Sequence, residues 1–99
     1  MLRNMREVSV TEVPNNAQLI DVRETDEFSA VHAATARNIP MSEITSRVGE
    51  IDSEQEVYVI CKSGGRSARV AEYLEARDMN VINVAGGTDA WVAAGLPTG

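Results

Sequence analysis

The chain has 99 residues, of which 43% are hydrophobic and 24% charged, a composition typical of one globular domain, which we predict to span residues 1–99. The formal net charge of −6 disfavours nucleic acid or an anionic membrane surface as the main partner, since both need a basic protein surface. No apolar run approaches the roughly 18 residues of a membrane span. The segment Met1–Val10 lacks the apolar core of a secretory signal, so we expect a cytoplasmic protein that does not enter membranes.

Strand-like and helix-like segments alternate along the chain. Ser9, with Glu12 three residues later, predicts a brief capped helix directly after a first strand near Arg6–Val8. Short apolar runs typical of buried strands follow at Gln18–Val22, Ala36–Pro40, Val57–Cys61 and Asn80–Val84. Helical patterns lie between and after them, at Glu24–Val31, Ser42–Glu50, Arg66–Arg77 and Gly87–Ala94. This alternation predicts an α/β fold with a mainly parallel sheet.

The only cysteine, Cys61, lies at the end of an apolar strand and directly before a glycine-containing loop. One cysteine cannot form an internal disulfide and, with a single histidine, cannot build a zinc site, so we expect neither a metal nor a cofactor. Cys61 is therefore either an inert core residue or a working thiol. The following residues, Lys-Ser-Gly-Gly-Arg-Ser, favour a working thiol, which we expect to be exposed on its loop.

The loop after Cys61 is typical of an anion-binding cradle. No acidic residue occurs between Glu56 and Glu72, and that interval contains the basic residues Lys62, Arg66 and Arg69. Ligands of open parallel sheets bind at the carboxyl ends of strands, where a helix N-terminus adds unpaired N–H groups and partial positive charge. Two consecutive glycines allow the backbone to curl so that its N–H groups point inward. Such surroundings favour the thiolate, which is the nucleophilic form of cysteine.

Four segments together resemble the single-domain rhodanese-like sulfurtransferases. They are CKSGGRS at 61–67, LIDVRETDEF at 19–28, VHAATARNIP at 31–40 and NVAGGTDAWVAAGLP at 83–97, and they cover most of the chain in the family's order. The resemblance implies the rhodanese fold, a parallel sheet with helices on both faces. It also implies that Cys61 takes a sulfane sulfur from a donor such as thiosulfate, holds it as a persulfide, and passes it to cyanide or a thiol.

The resemblance and the loop chemistry assign Cys61 as the catalytic residue. The expected substrate-binding residues are Lys62, Ser63, Gly64, Gly65, Arg66 and Ser67. Whether the side chains of Lys62 and Arg66 contact the substrate stays open, because Arg66 could instead tie the helix start to a carboxylate.

Other polar and aromatic residues receive supporting roles. Asp21 and Arg23 are expected to line or support the pocket, and the candidate ion-pair partners of Arg23 are Glu24, Asp26 and Glu27. We interpret His32 and Trp91 as structural, and the Ala-Gly-Gly before the last helix as a strand-to-helix loop.

The chain departs from the family pattern at several positions. Val31 stands where a glycine usually precedes the histidine, and Ala33 and Ala34 follow where a bulkier apolar residue is common. Lys62 replaces the usual arginine after the cysteine, which keeps the charge but loses the planar fork suited to bidentate contact with an oxyanion, so thiosulfate affinity should suffer. Asp78 replaces a helix-ending glycine, a position that an aspartate can occupy in left-handed geometry.

Two alternative functions remain open: a phosphatase or arsenate reductase, since some dual-specificity phosphatases share the fold, and a non-catalytic regulatory or binding module. The phosphatase signature has one residue more between its cysteine and arginine than the four found here. For partners we expect a small sulfur-donor anion and a thiol or sulfur-acceptor protein, with no nucleic acid and no membrane, and a monomer or weak dimer.

Overall fold

The computed structural model describes residues 6–99, which form a five-stranded parallel sheet between two layers of helices. The strands are β1 Arg6–Val8, β2 Gln18–Asp21, β3 Arg37–Asn38, β4 Val57–Ile60 and β5 Val81–Val84. They lie side by side in the order β1-β5-β4-β2-β3, and all the pairings between them are parallel. The first half of Met1–Val10, where the sequence lacks a secretory signal, falls outside the described residues.

Helices lie between the strands and after the last one. They are α1 Thr25–Ala30, α2 Ile44–Arg47, α3 Gly65–Glu75 and α4 Gly87–Ala93, with 3-10 turns at Val10–Glu12, Met41–Glu43 and Val48–Glu50. The predicted elements are confirmed, except that the helix expected over Ser42–Glu50 is a short α-helix between two 3-10 turns. The predicted α/β class with a parallel sheet is also confirmed. None of the helices in this part of the chain is long and apolar enough to cross a membrane.

The sheet separates two hydrophobic cores because successive residues of a strand point to opposite faces. On the face covered by α2 and α3, the core includes Ile20, Val57, Val59, Val70, Leu74 and Val81. On the face covered by α4, it includes Leu19, Tyr58, Ile60, Ile82, Val84 and Trp91. Both faces of β4 and β5 are therefore buried, which explains why every residue of these strands except Asn83 is apolar or aromatic.

The C-terminal segment is fastened to the loop after α1. The Gly99 N–H donates to the His32 carbonyl at 2.8 Å, and the Ala34 N–H donates to the Pro97 carbonyl at 3.0 Å. The buried Trp91 adds a hydrogen bond from Nε1 to the same Pro97 oxygen at 2.7 Å. His32 stacks on Phe28 with ring centroids 3.7 Å apart, which agrees with a structural interpretation of this histidine.

Two local predictions concern the ends of helices. The Ser9 N–H donates to Glu12 Oε1 at 2.8 Å at the start of the first 3-10 turn, as the spacing predicts. Asp78 follows α3 with a φ of 65°, so the expected left-handed aspartate is confirmed.

Candidate active site

Cys61 follows β4 directly, at the carboxyl end of a central strand. Its side chain continues the alternation of Val57 and Val59, and it therefore points into the core beneath α3. Only 1% of the residue is exposed, so the expectation of an exposed thiol is wrong. Cys61 is thus a core residue by position, and its hydrogen bonds decide whether it is also reactive.

The thiol accepts hydrogen bonds from the loop that follows it. The Gly64 N–H donates to Cys61 Sγ at 3.0 Å, and the buried Ser67 hydroxyl donates to it at 3.2 Å. Burial raises the pKa of the Cys61 thiol, but hydrogen bonds from the Ser67 hydroxyl and from the backbone N–H groups of Ser67, Gly64 and Ser63 outweigh burial and hold the pKa below its ordinary value. The predicted preference for thiolate is therefore supported by this geometry.

Gly64 gives the loop its curl. Its φ of 113° is a left-handed value that residues with a Cβ rarely adopt, and it lies at the N-cap of α3. Gly65 already belongs to the helix, and a Cβ there would meet no atom within 4 Å. Of the two glycines expected to shape the cradle, Gly64 is therefore the one that the backbone requires.

The start of α4, with Gly86 at its N-cap and Gly87 as its first residue, packs against the cysteine loop. The Thr88 N–H donates to the Cys61 carbonyl at 2.7 Å, and the Asp89 N–H donates to the Lys62 carbonyl at 3.0 Å. A Cβ on Gly87 would lie 2.4 Å from the Cys61 carbonyl oxygen, so only glycine permits this approach. Sequence analysis missed this support, although the paired glycines at the start of a helix were a signal of close backbone approach.

Asp21 and Arg23 form a buried pair beside the cysteine loop. The Arg23 guanidinium donates from Nη2 to Asp21 Oδ2 at 2.9 Å and to the Val31 carbonyl at 2.6 Å, and Arg23 is only 4% exposed. The partners predicted for Arg23, namely Glu24, Asp26 and Glu27, are wrong. The physical reason is burial, because a charge removed from water needs an equally buried counter-charge, and Asp21 is fully buried.

The two basic residues of the loop are both in ion pairs. Arg66 donates from both terminal nitrogens to Glu27 of α1, at 2.6 and 2.9 Å. The Arg66 guanidinium is the main reason that the pKa of Glu27 is lowered to about 2. Lys62 Nζ lies 2.9 Å from Asp89 Oδ2 of α4, with both side chains more than half exposed. Arg66 therefore ties the start of α3 to a carboxylate, which was one of the two predicted alternatives.

A cavity of about 390 Å³ lies beside the loop. Its walls include Arg23, Glu27, Val31, Lys62, Thr88 and Val92. The cavity wall combines charged side chains such as Arg23 and Lys62 with apolar ones such as Val92, which is 48% exposed. A larger cavity of about 590 Å³ is bounded by residues such as Val48, Ile51 and Met79. Cys61 lines neither cavity, and the smaller one reaches the cysteine loop through Lys62. Within residues 6–99, no group of three or more His, Cys, Asp or Glu side chains could hold a metal ion.

Comparison with known proteins places this geometry in a family. Residues 9–94 match the family model of the rhodanese-like domain. The chain is 35% identical over 80 residues to a protein of Allochromatium vinosum named sulfurtransferase, covering 80% of this chain and 75% of that protein. It is 43% identical over 76 residues to the uncharacterized protein YqhL of Bacillus subtilis, covering 76% of this chain but only 60% of YqhL.

A solved structure shows the same architecture. The crystal structure of a rhodanese-related protein from Thermoplasma volcanium aligns with a TM-score of 0.89 and 30% sequence identity, covering 95% of this chain and 97% of that one. The resemblance inferred from the four sequence segments is thereby confirmed over most of the chain. The parallel sheet, the cysteine loop at its edge and these similarities together show that the chain belongs to the rhodanese-like domain family.

Proposed function

We propose that the protein is a sulfurtransferase that carries a sulfane sulfur as a persulfide on Cys61. The observation that carries the proposal is the set of hydrogen bonds at Cys61 Sγ, which stabilise a thiolate at the carboxyl end of β4. A thiolate is the attacking group that sulfur transfer requires, and the reaction needs no metal and no dedicated general base. The sulfurtransferase name of the A. vinosum relative supports the same reaction class.

The reaction consists of two displacements at sulfur. The Cys61 thiolate attacks the outer sulfur of thiosulfate, a new S–S bond forms, and sulfite leaves with the electron pair of the bond that breaks. An acceptor such as cyanide then attacks the terminal sulfur of the persulfide, which releases thiocyanate and restores the thiolate. Electrons balance within each step, so no external oxidant or reductant takes part.

The backbone of residues 62–67 supplies the proposed binding cradle. The Gly64 N–H already points at Sγ, and the terminal sulfur of a persulfide carries the negative charge one bond further out. We assign contact with the transferred sulfur to the backbone N–H groups and the Ser67 hydroxyl, because the Lys62 and Arg66 side chains are both engaged by carboxylates. Asp21 and Arg23 support the wall of the site from beneath.

Intact-protein mass spectrometry tests the proposal. Thiosulfate should add the mass of one sulfur atom to the parent protein, and a thiol reductant or cyanide should remove it. The Cys61→Ser variant should gain no sulfur and should convert no thiosulfate and cyanide to thiocyanate, because a hydroxyl has a far higher pKa than a thiol and does not hold sulfane sulfur stably. A parent that never gains sulfur, or a serine variant with parental turnover, contradicts the proposal.

Phosphatase or arsenate reductase activity is the alternative within the same fold. Four residues separate Cys61 from Arg66, one fewer than in the phosphatase signature, so the ring of N–H groups is narrower. In addition, both terminal nitrogens of Arg66 are bound to Glu27 and are not directed at an oxyanion above the thiol. Parallel assays decide between the two: turnover of an aryl phosphate without turnover of thiosulfate would favour the phosphatase.

The proposed partners are a small anionic sulfur donor and a thiol, either a small molecule or a cysteine of an acceptor protein. The net charge of −6 supports this choice over nucleic acid. We propose a monomer or weak dimer, which sedimentation analysis at several protein concentrations tests directly.

A further inference from the structure

Three cations beside the cysteine loop are each paired with a carboxylate. The three pairs are Lys62 with Asp89, Arg66 with Glu27, and Arg23 with Asp21. The formal charges of these six side chains sum to zero, and the Cys61 thiolate adds a negative charge. The loop is basic along the sequence, but the folded site is not, because the carboxylates arrive from β2, α1 and α4.

The Lys62–Asp89 pair differs from the other two pairs in its exposure. The Arg23 and Asp21 side chains are 5% and 0% exposed, and Arg66 and Glu27 are one third exposed or less. In contrast, the Lys62 and Asp89 side chains are 62% and 57% exposed. Exposed ion pairs contribute little to stability. The Asp89 carboxylate is therefore dispensable for the fold, although its charge lies next to the residue that follows the nucleophile.

The backbone fixes Asp89 in this place. Its N–H donates to the Lys62 carbonyl at 3.0 Å, and its side chain reaches Lys62 Nζ across the cavity wall that both residues share with Thr88. An acidic residue in the first turn of α4 also favours the helix, but that role alone does not require contact with Lys62. An anion that enters this cavity, next to the cysteine loop, meets a lysine whose charge is already neutralised.

We propose that Asp89 is a specificity-determining residue, which by neutralising Lys62 disfavours doubly charged sulfur donors at Cys61 relative to singly charged ones. The inference rests on the proposed sulfurtransferase function. A unit charge about 4 Å from a singly charged ligand changes its binding by about fivefold even in bulk water, and the effect grows with the ligand's charge and weakens with distance. Residual solvent screening and a longer separation reduce the effect expected here to about twofold for a monoanion and about fivefold for a dianion.

Two donors of matched chemistry test this inference. Thiosulfate is a dianion, and methanethiosulfonate is a monoanion that presents the same kind of sulfane sulfur with a methyl group in place of one charged oxygen. Attack by the Cys61 thiolate releases sulfite from the first and methanesulfinate from the second. In Asp89→Asn, kcat/KM should rise about fivefold for thiosulfate and about twofold for methanethiosulfonate, and both gains should shrink as salt is added.

Two further variants separate the local charge from general effects. The double variant Asp89→Asn with Lys62→Gln should return the ratio of kcat/KM for the two donors to the parental ratio, because the local net charge is again zero. Glu54→Gln removes one negative charge from the exposed loop before β4, at the end of the strand away from Cys61. This variant should leave the ratio of kcat/KM for the two donors unchanged. Thermal unfolding of each variant confirms that the fold is retained.

Alkylation of Cys61 gives a readout that does not need turnover. Iodoacetate and iodoacetamide react by the same displacement, but iodoacetate carries one negative charge and iodoacetamide none. In Asp89→Asn, the rate of alkylation by iodoacetate divided by the rate by iodoacetamide should therefore rise about twofold. A parent that forms no persulfide from either donor overturns the proposed function and with it the donor preference. Persulfide formation by the parent, together with unchanged alkylation and donor ratios in Asp89→Asn, overturns the role of Asp89 alone.

Discussion

At the scale of single residues, Cys61 combines deep burial with a stabilised thiolate. Burial on its own favours the neutral thiol, and the Gly64 N–H and the Ser67 hydroxyl supply the hydrogen bonds that water supplies to an exposed thiolate. Ser67 is fully buried, so its hydroxyl is held in place by its surroundings. Sequence analysis could predict a curled loop with inward N–H groups after Cys61, because glycine and helix-start signals are local.

Replacement of Ser67 by alanine tests this balance. Ser67→Ala removes one donor from the thiolate and leaves burial unchanged, so the pKa of Cys61 should rise, because the charged form loses a hydrogen bond. The rate of alkylation by iodoacetamide, measured against pH, should shift its midpoint upward and fall at neutral pH. Ser53→Ala, a substitution in the exposed loop before β4, is the matched control. An unchanged midpoint in Ser67→Ala would show that this hydroxyl does not stabilise the thiolate.

The ion-pair partners of Lys62, Arg66 and Arg23 could not be predicted from the sequence. Lys62 and Asp89 are 27 residues apart, and Arg66 and Glu27 are 39 apart, so their contacts depend on how the strands are ordered in the sheet. Arg23 was predicted to pair with Glu24, Asp26 or Glu27, although Asp21 lies only two residues away in the sequence. The assignment failed because burial, which the local sequence only partly reveals, selected Asp21.

At the scale of elements, the start of α4 supports the cysteine loop. The first free N–H groups of this helix need acceptors, and the carbonyls after β4 provide them. Gly87 makes the contact feasible because its missing side chain lets the two backbones approach. The sequence predicts both elements, but their contact follows from β4 and β5 being neighbours in the sheet.

Gly87→Ala should destabilise the protein through this contact. Gly87 has a φ of 59° and would place its Cβ against the Cys61 carbonyl, whereas Gly95 has a φ of 72° with no atom within 4 Å of its Cβ position. Gly95→Ala therefore measures the cost of the left-handed backbone alone, about 1 kcal/mol. Urea unfolding should show a larger loss for Gly87→Ala, accompanied by slower alkylation of Cys61. Equal losses in the two variants would mean that the close approach relaxes without cost.

At the scale of the whole molecule, the ion pair between α1 and α3 links stability to pH. The pKa of Glu27 is lowered from 4.5 to about 2, mainly by its hydrogen bonds with Arg66. A carboxyl group with a lowered pKa in the folded state stabilises the fold fully above its unfolded pKa. That contribution is lost as the pH falls from about 4.5 to about 2.

Glu27→Gln should remove this dependence. At neutral pH the variant should be less stable than the parent by about 1 kcal/mol, a value reduced by the partial exposure of the pair. The difference between the two melting temperatures should narrow as the pH falls below 4.5 and nearly vanish near 2. Glu54→Gln, which changes an exposed carboxylate, should melt in parallel with the parent at every pH. A constant difference between Glu27→Gln and the parent over this range would contradict the pairing with Arg66.

The support that α4 gives the cysteine loop has a consequence for protein synthesis. Cys61 leaves the ribosome well before Thr88 and Asp89, whose N–H groups hold the carbonyls of Cys61 and Lys62. Until those later residues emerge and fold, the nascent chain exposes a cysteine with ordinary acidity, which is largely protonated at neutral pH and reacts slowly with oxidants. The hydrogen bonds that hold the carbonyls of Cys61 and Lys62 thus form only after residues 88 and 89 have been made, and a shorter nascent chain carries a thiol of ordinary reactivity.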